Sequence, residues 1–152
     1  MQSTDPFNLT RFLTAQESHY RRALSEIRHG KKSTHWIWFI FPSLHGISTS
    51  ARGNKYAISN LSEASAYLQH PLLKSRLVEI TQAVLDSDVE EISTLMGSLV
   101  DVNKMHASMT MFLRADPEKK VFDFQAVLDK YYGGARHEKS DLIVDEETEE
   151  RN

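Results

Sequence analysis

The chain has 152 residues and no cysteine, which excludes disulfides, thiolate catalysis and Cys-based zinc or iron–sulfur sites and suits one domain with a core of its own. Its formal net charge is −3, but residues 145–152 hold five acids and one arginine, so that segment carries −4 and residues 1–144 carry +1. An electrically mixed body argues against the basic face that a nucleic-acid backbone requires, and no apolar run approaches the length of a membrane span.

The first residues, Met1-Gln2-Ser3-Thr4-Asp5-Pro6, lack the basic and apolar regions of a secretory signal, so a soluble, cytoplasmic protein without membrane contact is expected. Helical spacing then begins: Phe12, Gln16, Tyr20, Ala23, Leu24 and Ile27 share one stripe, with Asn8 placed to cap it and Gly30 to end it. Phe7 and Phe12 have the spacing of an apolar staple across that cap. Residues 34–41 are apolar all round and open to two readings, a short buried helix or a buried strand; helix is favoured because no other segment offers a strand partner. Pro42 closes this element, and residues 43–55 form a polar loop with no helical stripe. Residues 56–61 read as a turn of helix, Ser62 as a cap for 63–69, and His70 as a corner before a helix that starts at Pro71 and buries Leu73, Leu77, Ile80 and Val84. Asp88 and Glu91 have the spacing of a capping pair for a short helix ending near Gly97. Asp101 opens a longer helix with Val102, Met105, Met109, Phe112 and Leu113 inward, ended by Asp116-Pro117. A last one carries Val121, Phe124, Leu128 and Tyr131 as far as Gly133-Gly134. The expectation is an all-α fold, one multihelical domain of six to eight helices over residues 8–144 with one long polar loop. The acidic residues 145–152 have nothing apolar to bury and are expected to be a disordered tail.

Within that frame stands His35-Trp36-Ile37-Trp38-Phe39-Ile40-Phe41-Pro42, which holds both tryptophans of the chain behind the basic step Gly30-Lys31-Lys32. Together with Phe12, Gln16, Tyr20, Glu26-Ile27, Tyr56-Ala57-Ile58, Glu63-Ala64, His70-Pro71, Asp101, Lys104, Ser108, Thr110 and Phe112, this run resembles the bacterial domain-of-unknown-function 1810 family. The resemblance covers almost all of residues 8–134 and implies one predominantly helical domain without an established activity. Three stretches depart from the family pattern. Ser43 stands where the family typically has glutamine. Gly46-Ile47-Ser48-Thr49-Ser50-Ala51-Arg52-Gly53 stands in place of Gly-Leu-Gly-x-Ser-x-x-Ser, and Ala107-Ser108 in place of a Ser-Ser pair. No active-site role is therefore carried over to Ser43 or Ala107.

The candidate chemistry is anion recognition. Lys31 and Lys32 precede a short element whose N-terminal amides favour phosphate or carboxylate, although solvated lysines after a helix stop explain them too. His35 is a candidate acid–base group, with a structural histidine as the plainer reading. Trp36 and Trp38, two apart, cannot share a helix face, so that one suits the core and the other a pocket wall that stacks a planar ring. Ser48, Ser50, Arg52, Asn54 and Lys55 supply donors in the loop but match no phosphate-binding loop motif. Lys104 and Ser108 stand one turn apart, an amine beside a hydroxyl, with Thr110 placed in the ligand set on the same helix; a solvated helix face accounts for the first two as well. The seven histidines lack metal-ligand spacing, so neither a metal nor another cofactor is expected. The reading is a domain that binds a small anionic, nucleotide-like ligand, with hydrolysis through His35, Lys104 and Ser108 as an added step. The rival reading is a non-enzymatic protein-interaction domain, of unknown partner, whose aromatic run is purely structural.

Overall fold

The computed structural model describes residues 5–151, the side chains of Glu150 and Arg151 excepted; what was expected of residues 1–4 and Asn152 lies outside them. Ten helices are formed there rather than six to eight: α1 Thr10–Glu17, α2 Tyr20–Arg28, α3 Ile37–Ile40, α4 Ala51–Lys55, α5 Leu61–Gln69, α6 Pro71–Asp86, α7 Ile92–Met96, α8 Leu99–Ala115, α9 Gln125–Tyr131 and α10 Glu138–Arg151. No strand is formed among the described residues, and none of their helices is long and apolar enough to cross a membrane.

Two of the extra helices come from places where local polar bonds override the stripe. The expected single N-terminal helix is broken at Ser18 and His19, where the His19 amide bonds Gln16 O and its ring Nδ1 takes Ala15 O at 2.9 Å. The stripe survives the break, because Phe12, Gln16, Tyr20, Ala23, Leu24 and Ile27 all remain buried. Asn8 does not cap α1. It lies at φ 54, and Asp5 does the work instead, accepting from Leu9 N at 2.7 Å and from Thr10 N at 3.0 Å. The polar loop contains α4, capped by Ser50 Oγ on Gly53 N at 3.0 Å. Residues 56–60 are not helical: Ile58 pairs with Leu44 in an isolated bridge, with His45 N on Ile58 O and Ile58 N on Ser43 O, both 2.9 Å. That pairing closes residues 44–58 into a loop with a fixed base.

The remaining expectations hold with shifted ends. Asn60 rather than Ser62 caps α5, Pro71 opens α6 behind a His70 cap, and Ser98 caps α8 two residues ahead of the expected start. No side chain caps α7, so Asp88 and Glu91 are not the capping pair, but Gly97 at φ 85 does end it. Of residues 34–41 only Ile37–Ile40 is helical.

Helix α8 is the axis of the fold, packed by α3, α5, α7, α9 and α10. Met105, Ala107, Ser108, Met109, Thr110, Met111 and Phe112 are all fully enclosed, so the second half of this helix is covered on every side rather than along one stripe. A second seam joins α2, α5 and α9 to α6, and α1 lies on α3.

The segment expected to be a disordered tail is instead the C-terminal half of α10. Arg114 of α8 bridges Asp141 and Asp145 at 2.9 Å each, Glu147 accepts from Leu61 N at 3.1 Å, and Val144 is buried. Composition alone hid this, because Arg114 and the open start of α5 lie far away in sequence. At the head of α10, His137 Nδ1 accepts from Ser140 N at 3.2 Å, which places the ring proton on Nε2, 3.0 Å from Asn103 Oδ1.

Candidate functional site

Glu26 organises the region that the sequence singled out. Its carboxylate, on the buried side of α2, accepts from Ser33 N at 2.8 Å, Thr34 N at 3.0 Å, Thr34 Oγ1 at 2.5 Å and Trp36 Nε1 at 2.9 Å. Burial alone would raise its pKa, but these four donors outweigh burial and bring it down to about 2. The basic step is thereby folded over the end of α2, and Trp36 is fixed in the core with none of its surface exposed.

Lys32 is drawn in as well. Its ammonium is 2.8 Å from Asp101 Oδ2, 2.6 Å from Thr34 O and 4.8 Å from the centre of the Trp36 ring. This buried ion pair joins the 31–36 turn to α8. It also has an effect one turn further along, since Asp101 is the carboxylate that would otherwise neutralise Lys104. Among the described residues the Lys104 ammonium has no hydrogen bond or ion pair, and burial lowers its pKa against the opposing pull of Asp101.

Lys104 faces a cavity of about 580 Å³ whose walls include Trp38, Ile47, Ser48, Ser50, Asn103 and the Asp101 that Lys32 pairs. Three separated segments meet there: the aromatic run, the polar loop and the first turns of α8. The loop wall is tightly built. Ser48 Oγ lies 3.1 Å from Ser50 Oγ, and a Cβ added at Gly53 would stand 1.9 Å from Ser48 Oγ. The departure from the family pattern here is thus a coupled exchange, in which the hydroxyl moves from position 53 to position 48 and the glycine moves the other way.

On the far side of this wall is a second hollow of about 600 Å³, lined by His19, His35, Phe39, Arg52, Lys55 and Tyr56. The Arg52 guanidinium lies over the Trp38 ring at 4.9 Å from its centre, so Trp38 and Arg52 form the partition.

The expected site residues therefore divide. Trp38, Ser48, Ser50 and Lys104 line the first hollow, and His35, Arg52 and Lys55 the second. Four expected residues are interior instead. Trp36 and Lys32 belong to the Glu26 and Asp101 contacts, and Thr110 donates to His106 O at 2.9 Å while accepting from His137 N at 2.8 Å. Ser108 is wholly enclosed, its hydroxyl without a partner among the described residues. Enclosure corrects its assignment as a nucleophile, because no substrate reaches a side chain with no exposed surface. Lys31 and Asn54 are exposed and line neither hollow. Glu26, Arg11, His19 and Asn103 were missed. Arg11 ties down the end of α4 through Lys55 O at 3.0 Å, Ala57 O at 2.9 Å and Glu63 at 2.7 Å. Its only signal was membership of the first helix. No group of three metal-ligating side chains occurs among the described residues.

Fold and site together define a small multihelical domain in which two of the hollows lie beside one indole, Trp38, and its Arg52 contact. The chain belongs to the family described as protein of unknown function (DUF1810), whose sequence profile matches residues 6–144. It is similar to a conserved hypothetical protein from Mycobacterium tuberculosis known from a crystal structure, with 42% identity and a TM-score of 0.87, over 92% of this chain and 98% of that one. No match was found among curated proteins.

Proposed function

We propose that the hollow between Trp38, the Ser48–Ser50 turn and α8 binds a small anionic, nucleotide-like ligand. The observation that carries this reading is the Lys104 ammonium: half-buried, facing a cavity, and without a hydrogen bond or ion pair among the described residues, while the neighbouring Asp101 is paired with Lys32. An unpaired cation in a partly dry site is costly unless an anion completes it. Trp38 offers an aromatic wall for a planar base, and Ser48, Ser50 and Asn103 offer polar groups for a sugar. Hydrolysis is not part of the proposal, since His35 lies in the adjoining hollow and Ser108 is enclosed.

The test is a thermal-shift and calorimetric screen with adenosine, guanosine and uridine monophosphates against wild type and Lys104→Ala. A monophosphate at a hundredfold excess over Kd adds about 2.7 kcal/mol to unfolding, or about 5–10 °C in Tm for a chain of this size. No shift with any of them, or an equal shift in Lys104→Ala, overturns the reading.

An interaction domain is the second reading, favoured by one feature: Leu99 and Val100, 78% and 64% exposed, stand together at the rim of the same hollow. It predicts that Leu99→Ser with Val100→Ser abolishes capture of a protein partner while any monophosphate shift is unaffected.

A further inference from the structure

The second hollow, between α1, α3 and α4, has a lining that the proposed function does not use. Four of its side chains are basic, namely His19, His35, Arg52 and Lys55, and no carboxylate lines it. Among the described residues, the side chains of Arg52, Lys55 and His35 have no hydrogen bond or ion pair, so their donors are uncommitted. His19 is committed at Nδ1, which donates to Ala15 O at 2.9 Å and lies 3.2 Å from the neighbouring Ser18 hydroxyl.

These groups are held in place rather than loose on the surface. Arg52 is stacked on Trp38 at 4.9 Å, the Lys55 ammonium sits 5.3 Å from the centre of Tyr56, and the His19 ring meets Phe39 edge-on at 5.2 Å. Helix α4, which carries both Arg52 and Lys55, is fixed at its start by the Ser50 cap and at its end by Arg11. Uncompensated positive charge on a rigid rim with apolar walls is the arrangement that binds a phosphate oxygen cluster, because the donors lose little freedom when the anion arrives.

We infer that this hollow is an anion subsite, and that the ligand class of the protein is a nucleotide carrying two or more phosphate groups, whose terminal phosphate reaches Arg52 and Lys55. The nucleotide half of the inference rests on the reading of the Trp38 hollow; the anion half rests on this lining alone.

Calorimetry with AMP, ADP and inorganic pyrophosphate separates the two halves, using wild type and a Lys55→Ala, His35→Ala double variant in which both changes fall on exposed side chains and Arg52 stays on Trp38. The wild type is expected to bind ADP roughly tenfold more tightly than AMP, as for a gain of one or two charge-assisted contacts. In the variant that ratio falls toward one, and pyrophosphate binding is lost with it. A wild-type ratio near one, or a ratio unchanged in the variant, overturns the inference. Pyrophosphate bound by wild type and lost in the variant, with no binding of AMP or ADP, upholds the anion subsite and removes the nucleotide reading. Failure of all three probes removes both.

Discussion

Replacing Gly53 with serine restores the residue that the family pattern has at this position, yet it should destabilise this protein. On helix propensity alone the change favours α4 by about 0.5 kcal/mol. Against that, the new Cβ stands 1.9 Å from Ser48 Oγ and 2.4 Å from Ser48 Cβ. The hydroxyl is able to swing away, giving up the bond it accepts from Ser50 N at 3.3 Å, but the Ser48 Cβ moves only with its backbone. Overpacking of this kind costs about 1–3 kcal/mol, so Gly53→Ser is expected to lose roughly 0.5–2.5 kcal/mol. In a Ser48→Gly background the obstacle is gone and the same substitution should be neutral or mildly stabilising. The four proteins of this double-mutant cycle, unfolded in urea with tryptophan fluorescence as the probe, should give a coupling energy of about 1–3 kcal/mol, the double variant being more stable than the sum of the single changes allows. Equal effects of Gly53→Ser in both backgrounds would refute the coupled exchange and, with it, the geometry assigned to the wall of the first hollow.

Three further outcomes follow from buried polar groups. Glu26, held at about 2 against the ordinary 4.5 by its four donors in spite of burial, contributes about 3 kcal/mol that is present above pH 4.5 and lost as pH falls through about 2; Glu26→Gln should lower Tm at neutral pH by about 6–12 °C and flatten the acid limb, and a variant that melts with the wild type is evidence against it. Burial, with His106 and Lys139 adding to it and Asp141 opposing, lowers the His137 pKa below 6.5, so the neutral ring that caps α10 is stabilising above that pH and fails as pH falls through the lowered value. Wild type should therefore lose stability more steeply than His137→Asn between about pH 7.5 and pH 5; parallel melting curves would contradict this. Ser108→Ala removes an enclosed hydroxyl that has no partner among the described residues and should raise Tm by about 2–4 °C, a gain of about 1 kcal/mol, with monophosphate shifts unaltered; a fall in Tm would mean that the hydroxyl is bonded.

What the sequence made legible was whatever depends on one residue and its near neighbours. The buried stripe of the first two helices, the Pro71 start and the Gly97 stop were read correctly, because periodicity and punctuation are local. The caps were read less well: Asp5, Asn60 and Ser98 displaced Asn8, Ser62 and Asp101, each a choice among nearby polar residues that only backbone geometry settles. The loop concealed α4 for a different reason. A five-residue helix is too short to show a stripe, and it exists because Ser50 caps it and because the Leu44–Ile58 bridge and Arg11 fix its ends. For the candidate site, the residue types were legible and the partition was not. Trp36 and Trp38 had to point apart, but which of them goes inward is decided by Glu26, ten residues before Trp36.

The same long-range logic governs charge. Lys31, Lys32, Lys104 and Asp101 look interchangeable along the sequence, four charges in a mixed body. In the fold they are not, since the turn that Glu26 imposes carries Lys32 inward to Asp101, so that the ion pair of Asp101 goes to Lys32 while Lys104, one turn along α8, feels Asp101 only through its charge. A buried carboxylate on α2 therefore sets the electrostatics of a hollow that it does not line. Moving one charge inward leaves another facing a cavity with no ion pair among the described residues. The aromatic run and the hollow are for that reason coupled in this chain: Glu26, which seats Trp36 in the core, also fixes the turn that brings Lys32 to Asp101.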